Sequence, residues 1–439
     1  MSKRNDRREF LKTSAVIGAG YFVAAGTQAK ASTSAIETIR YGCIGVGGKG
    51  QSDTDDAGRH GKVVAVCDVD DNTLNSALKK FEGSKGFSDF RKLLDEMDKE
   101  IDAVTVSTPD HMHAPAALKA MRMGKHIYCQ KPLTRTIYEA RKMGEVAKQN
   151  KLVTQMGNQG TATDSLREAA AILQSGVLGK ISAVHVWTNR PVWPQGGPRP
   201  KPMDPPKSLH WDQWLGVAPK RPYGPGYHPF SWRGWWDFGT GALGDMACHT
   251  INMPYMGLEL KDPKTVVAET SGHNRDSFPK WSIITFEFPA TEKRDGVQCV
   301  WYDGGKRPGK ELLDGENPAR SGVVVIGDKG KLYAPGDYCE QGVKMLGGIE
   351  KPKVEWLRSP GHFAEFANAI KGEGEPFSNF ANYGGPLTEV ILLGNLAVWA
   401  APDAGTGKKI EWDAKNLVAT NAPEVMSLVK PTYPAGYEL

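Results

Sequence analysis

Short apolar runs recur through the first third of the chain, separated by stretches of helical spacing. Residues 41–45, 63–67, 103–107, 126–129 and 153–156 read as buried strands, and residues 74–81, 90–97 and 114–123 read as covering helices. Alternation of this kind predicts a mostly parallel sheet of βαβ units, on which ligands gather at the carboxyl ends of the strands. Beyond about residue 160 the pattern changes. Residues 165–173 read as one further helix, whereas 181–187, 265–270, 281–288, 297–302 and 322–326 read as strands of a different sheet. Within 281–288, Ile283, Thr285 and Glu287 alternate with Ile284, Phe286 and Phe288. This predicts an antiparallel sheet with one packed face, its other face available to a lid or a subunit interface. Residues 363–370 and 387–399 have helical spacing and are expected to return against the first domain.

Between these halves, residues 191–227 are crowded with Pro, Gly and Trp, which suits a shaped loop better than a helix. Two readings stand for its aromatic groups: they cover the apolar face of a sugar, or they pack a long irregular excursion.

The length of 439 residues exceeds one ordinary core, so more than one domain is expected. The pattern divides the chain into a leader at 1–31, a nucleotide-binding domain at 38–160, a substrate-binding and oligomerisation domain at 161–380, and a C-terminal helix and tail at 381–439. The leader reading rests on Arg7-Arg8-Glu9-Phe10-Leu11-Lys12, a small-residue apolar stretch at 15–25, and Ala29-Lys30-Ala31 as a cleavage site. Twin arginines ahead of a modest apolar core are similar to a Tat signal, which implies export to the periplasm. Residues 1–31 carry six Lys or Arg and two Asp or Glu, so the formal charge of +5 falls to about +1 without them. That near-neutral remainder gives no electrostatic case for nucleic acid. No later run of 18 apolar residues occurs, so no stable membrane insertion is expected. The six cysteines are scattered without a disulfide framework, and Cys43, Cys67 and Cys129 fall inside strand-like runs as small buried hydrophobes.

Chemistry enters at the first strand. Gly45, Gly47, Gly48, Lys49 and Gly50 form a glycine-rich turn between a strand and a probable helix, and Asp68 closes the next apolar run. A turn of this composition lets a pyrophosphate approach backbone amides, while the acidic residue accepts from an adenosine ribose. After Asp68 come Val69, Asp70 and Asp71, with no cation to receive a ribose phosphate. The expected cofactor is therefore NAD rather than NADP.

Three later clusters sit where the same sheet edge is expected. Thr108-Pro109-Asp110-His111-Met112-His113 follows the third strand and can place polar groups beside the cofactor, although His113 also suits a packed helix start. Cys129-Gln130-Lys131-Pro132 follows the fourth strand, and Lys131 offers positive charge to an oxygen gaining alkoxide character. Asp245 and His249 lie four positions apart; on a helix they share one face, so His249 can take a hydroxyl proton while Asp245 orients it. Metal ligation competes for that pair, but there is no H-E-x-x-H pattern and only a loose supply of other ligands, so no metal is expected.

Taken together, the Gly45–Gly50 turn, the Thr108–His113 cluster, Gly124-Lys125-His126-Ile127-Tyr128-Cys129-Gln130-Lys131-Pro132, and Gly244-Asp245-Met246-Ala247-Cys248-His249 resemble the Gfo/Idh/MocA family of NAD(P)-dependent oxidoreductases across about residues 39–400. The resemblance implies an α/β chain, with an N-terminal Rossmann-type parallel sheet and a C-terminal α+β domain on a large open, mostly antiparallel sheet. It implies Lys131, Asp245 and His249 as the catalytic trio, a small carbohydrate as substrate, and a homo-oligomer assembled through the open sheet. The chain departs from the usual Glu-Lys-Pro by placing Gln130 before Lys131, which removes a carboxylate and puts cofactor positioning in question. Expected cofactor contacts are the turn residues, Asp68, Thr108, Pro109, Asp110, His113, Gln130 and Lys131. Outer substrate contacts are Arg233, Trp235 and His228.

The reaction implied is oxidation of a secondary hydroxyl of a sugar, glycoside or polyol, or its reverse. Export would favour a retained cofactor that is reduced and reoxidised within one cycle. Two alternatives remain open: glycoside cleavage by transient oxidation and elimination, and a catalytically silent carbohydrate-binding protein.

Overall fold

The computed structural model describes residues 37–437. The twin-arginine leader lies outside the described residues.

Six parallel strands, β1 (Ile39–Ile44), β2 (Gly61–Cys67), β3 (Lys85–Phe87), β4 (Ala103–Val106), β5 (His126–Cys129) and β6 (Thr154–Met156), form one sheet in the order β3-β2-β1-β4-β5-β6. The expected strands are present, and β3 adds an edge strand too short and too glycine-interrupted to stand out in the sequence. The strands are nearly continuous buried apolar runs because helices cover both faces. Helix Ile137–Gln149 is held at its start by a reciprocal cap, the Thr136 hydroxyl accepting from the Glu139 amide while Glu139 accepts from the Thr136 amide.

The register places the functional row. Ile44 lies opposite Cys67 and Val106, and Cys129 opposite Val106 and Met156. Each strand therefore ends at the same level, and the next residues, Gly45, Asp68, Ser107, Gln130 and Gly157, line the carboxyl edge. The order reverses between β1 and β4, so a crevice opens at that edge.

The second sheet holds β7 (Ile181–Trp187), β8 (Thr265–Ser271), β9 (Ser282–Phe288), β10 (Val297–Tyr302), β11 (Gly322–Gly327), β12 (Lys331–Pro335), β13 (Lys344–Leu346), β14 (Ala404–Thr406), β15 (Ile410–Asp413) and β16 (Val418–Ala419). Its order is β13-β12-β11-β7-β10-β9-β8-β15-β16, with β14 also on β8; all pairs are antiparallel except β7 with β10. In β9, Ile284, Phe286 and Phe288 are buried while Ile283, Thr285 and Glu287 are only partly covered, as the alternation required. Helices Gly385–Trp399 and Gly241–Thr250 cover the packed face and are themselves buried almost all round.

The excursion after β7 forms its own aromatic core of Trp214, Tyr223, Tyr227, Trp232, Trp235 and Phe238, with Trp211 stacked on Trp214 at 4.7 Å. Structural packing is thus the reading these rings satisfy. The buried Arg221 guanidinium ties the excursion down, pairing with Asp237 and, at 3.0 Å, with Asp276. All six cysteines are free and buried. No helix among the described residues is long and apolar enough to cross a membrane.

Candidate active site at the carboxyl edge of the parallel sheet

Gly45 has a φ of +76°, and a side chain there would meet the Ser107 carbonyl at 2.7 Å; one on Gly50 would lie 1.9 Å from the Gly45 carbonyl. The turn is therefore tight on its sheet side, while Gly48 faces open space. Helix Lys49–His60 starts directly behind it and sets its positive dipole end at the turn, the amides of Gly50 and Gln51 turning back to the carbonyls of Gly47 and Gly48. Asp68 accepts from the amides of Val46 and Asp70, each at 2.9 Å. Burial raises its pKa, and those two amide bonds oppose the rise. Two accepted bonds leave a carboxylate lone pairs for a ribose diol. Asp70 and Asp71 add negative charge beside it, which suits NAD and repels a ribose phosphate. These features fit a dinucleotide with its pyrophosphate on the turn and its ribose on Asp68.

The Lys49 ammonium turns back to Ser52 at 2.6 Å and Asp53 at 2.7 Å. Asp53, which the sequence did not single out, is fully buried and also accepts from Ser107 Oγ at 2.7 Å and Gln130 Nε2 at 2.8 Å. The departure at position 130 thus has a partner: an amide stands where a second carboxylate would confront Asp53. The Gln130 carbonyl oxygen meanwhile accepts from the Lys131 amide at 3.3 Å. Burial beside Lys49 on the same helix face was the only signal that could have marked Asp53.

Lys131 and Asp245 meet across the two sheets' boundary. Lys131 Nζ donates to Asp245 Oδ1 at 2.9 Å and to the Asp245 carbonyl at 2.8 Å. Arg233 Nε reaches the same Oδ1 at 3.2 Å, and Arg190 Nε lies 3.9 Å from Oδ2. Burial pushes the Asp245 pKa upward, but Lys131 and Arg233 outweigh it and hold the group at about 2, so it stays ionised. His249, one turn further along the fully buried helix, is pressed well below the ordinary imidazole pKa, by burial first and then by Lys131. Its Nδ1 is buried without a hydrogen-bond partner, a costly state that a substrate hydroxyl would relieve. Tyr338 packs edge-on against its ring at 4.7 Å between centroids.

The remaining expected residues are placed differently. His113 Nδ1 lies 2.8 Å from the Pro132 carbonyl and Nε2 2.8 Å from the Thr108 carbonyl; burial keeps the ring neutral, so it donates to one of them at a time while sitting between the two loops. Asp110 is buried and accepts from Thr240 Oγ1 at 2.7 Å; burial pushes its pKa up to about 7 against the opposing Thr240 bond and Arg233 charge. Thr108 and Pro109 stay at the edge, the Thr108 amide packed under Gly45. Trp235 belongs to the aromatic core of the excursion, and His228 lies 3.4 Å from Asp70, on the ribose side; no described contact brings either to Asp245. Arg190 and Tyr338 are the site's unforeseen members. Arg190 stands just past a recognised strand, whereas Tyr338 follows β12, which was not legible.

Residues 39–158 match the family model described as an oxidoreductase family with an NAD-binding Rossmann fold. Residues 164–438 match the C-terminal alpha/beta domain of the same family. The chain belongs to the Gfo/Idh/MocA oxidoreductase family. Among curated proteins it is similar to levoglucosan dehydrogenase of Pseudarthrobacter phenanthrenivorans, 29% identical over 188 residues, 43% of this chain and 40% of that protein. It is also similar to glycosyl hydrolase family 109 protein 2 of Shewanella sp. strain ANA-3, 33% identical over 161 residues, 30% of this chain and 35% of that protein. The matches thus span well under half the length of these relatives. Among solved structures, the WlbA dehydrogenase of Bordetella pertussis, in complex with NADH and UDP-GlcNAcA, superposes with a TM-score of 0.61 at 16% identity, covering 86% of this chain and 99% of that one. At that identity the likeness is one of fold.

Proposed function

We propose that this protein oxidises a secondary hydroxyl of a sugar, glycoside or polyol, or runs the reverse, with NAD as the hydride carrier. The observation that carries the reading is the meeting of the Lys131 ammonium and the neutral His249 imidazole around ionised Asp245, beside a dinucleotide-shaped turn. Bound NAD supplies an acceptor for the hydride that leaves carbon. The hydroxyl proton goes to His249, whose depressed pKa keeps it unprotonated and ready to accept. Lys131 places positive charge beside the oxygen as it gains alkoxide character, and Asp245 fixes that ammonium by two hydrogen bonds. The products are a ketone and the reduced nicotinamide.

Contacts of the excursion with the ribose side favour a retained cofactor. The Asp71 amide donates to the Ser208 carbonyl, and the His210 amide to the Val69 carbonyl, each at 2.9 Å. His210 Nε2 lies 2.8 Å from Asp71, and His228 closes on Asp70. A second staple joins His111 to the carbonyls of Trp214 and Phe238 at the nicotinamide side. These contacts tie the excursion to the segment after β2 and to the Asp110–His113 segment, which would slow release of a bound dinucleotide. The leader reading adds export by a Tat-like route to the periplasm, and the partly covered face of the second sheet suits assembly of a homo-oligomer.

The test is absorbance and mass spectrometry of the purified folded protein with and without candidate sugars and glycosides. Appearance of reduced NAD and a ketosugar supports the reading. The relative named as a family 109 glycosyl hydrolase keeps one other reaction in view: a new reducing end with no net redox change would assign glycoside cleavage instead. Bound NAD that no substrate reduces would leave a silent carbohydrate-binding protein.

A further inference from the structure

Asp245 has more cations than it needs. Lys131 already gives the carboxylate one ammonium partner on Oδ1 and reaches the Asp245 main-chain carbonyl with a second bond, yet Arg233 lies against the same Oδ1 and Arg190 lies 3.9 Å from Oδ2. Two guanidinium groups therefore flank one carboxylate from opposite oxygens. Neither is fully buried: Arg190 and Arg233 keep 25% and 23% of their side chains exposed beside Asp245. Arg233 is held flat against Trp232 at 4.2 Å and Phe230 at 5.1 Å, with Nη1 on the Phe230 carbonyl. Arg190 spends Nη1 on Asn189 Oδ1. The Nη2 groups of both remain for a ligand.

The local charges do not cancel. Against Lys131, Arg190 and Arg233 stand Asp245 and Asp337, the latter half-buried near Arg190 with its Oδ1 unpaired. Asp110, held near 7, adds about half a negative charge at neutral pH. Glu340 is exposed and accepts from the Tyr338 amide at 2.8 Å. Among these groups, exposed Glu340 aside, the positive charges exceed the negative by about half a charge.

We propose that Arg190 and Arg233 form a carboxylate-recognising pair and that the sugar presented to Lys131 and His249 is an acidic one, a hexuronic acid or its glycoside. The proposal rests on the carbohydrate oxidoreductase reading. A guanidinium fork matches a carboxylate in two bonds, and a single negative charge comes closer to cancelling the surplus than the nearly two charges of a sugar phosphate.

The experiment uses the NAD-loaded full chain and matched 4-nitrophenyl β-D-glucuronide and β-D-glucoside, with glucose 6-phosphate as a third arm. Reduction of bound NAD is followed at 340 nm, and calorimetric titration with glucuronate and glucose is run on the same sample. The glucuronide should be favoured in kcat/KM by about tenfold to a hundredfold, the scale of one charge-assisted hydrogen bond. Its KM should rise with added salt while that of the glucoside does not. In Arg190→Met the preference should fall toward one, and in Arg190→Lys it should be partly kept. A wild-type preference for the glucoside, equal use of both, or a stronger response to the phosphate overturns the proposal. If no sugar reduces the cofactor, the redox reading fails, and calorimetry still decides this one: tighter binding of glucuronate than of glucose upholds it, and equal binding overturns it.

Discussion

Gln130 Nε2 donates to Asp53 Oδ2 at 2.8 Å, joining the residue before Lys131 to the first helix of the nucleotide-binding sheet. Asp53 is fully buried and gathers Lys49, Ser107 and Gln130 around one carboxylate. A carboxylate at position 130 would face it where both side chains are buried. Gln130→Glu should therefore lower stability by on the order of 3 kcal/mol. Asp53→Asn combined with Gln130→Glu should recover most of that loss. Thermal unfolding of the two single variants and the double variant checks the coupling.

Removal of the Lys131 ammonium tests the chemistry without disturbing the turn. Lys131→Met keeps the length of the side chain but leaves Asp245 to Arg233 and Arg190. The rate of hydride transfer in a single turnover should fall by about a hundredfold to a thousandfold, the range for a lost oxyanion donor. NAD content after purification should be unchanged. A parallel loss of NAD would assign Lys131 to cofactor binding instead.

His249 is driven below the ordinary imidazole pKa by burial and by the neighbouring Lys131 charge. It stays unprotonated through the pH range in which a solvent-exposed imidazole would charge. The acid limb of the kcat/KM profile should accordingly lie below pH 6.5. Lys131→Met removes one of the causes, so the residual activity of that variant should show an acid limb shifted upward. An unmoved limb would show that the limb belongs to another group.

Asp110 titrates in the opposite sense. Burial raises its folded pKa to about 7, above the 3.8 of an ordinary Asp. Its contribution to stability is fully present below about 3.8 and is lost as pH rises through about 7. Asp110→Asn keeps an oxygen for Thr240 and cannot ionise. Relative to the wild type, it should be more stabilising at pH 8 than at pH 5, by a few kcal/mol at most. Melting temperatures at the two pH values measure the difference.

Much of the architecture was legible because short apolar runs bounded by glycine have few ways to be buried. The strands beginning at Ile39, Gly61, Ala103 and His126 could be found from local composition, and the row Gly45, Asp68, Gln130 followed from the rule that parallel strands end at one level. The pair Asp245 and His249 needed only helical spacing. Local sequence gave no access to contacts between residues far apart in the chain. It showed Gln130 as a missing acid, because Asp53 is 77 positions away; it offered His113 as a cofactor contact, because the carbonyls of Thr108 and Pro132 meet around its ring only after folding. Arg190 and Tyr338 likewise join the site only when β7 and β12 bring their loops to one edge. The sequence by itself determined the two sheets, the turn and the chemical types of the trio, since these depend on periodicity and on neighbours within a few residues. Only the tertiary structure decided which charges confront one another, because burial and separations of 3 to 4 Å are set by how segments distant in the chain pack together, within the parallel sheet for Asp53 and Gln130 and between the two sheets for Lys131 and Asp245.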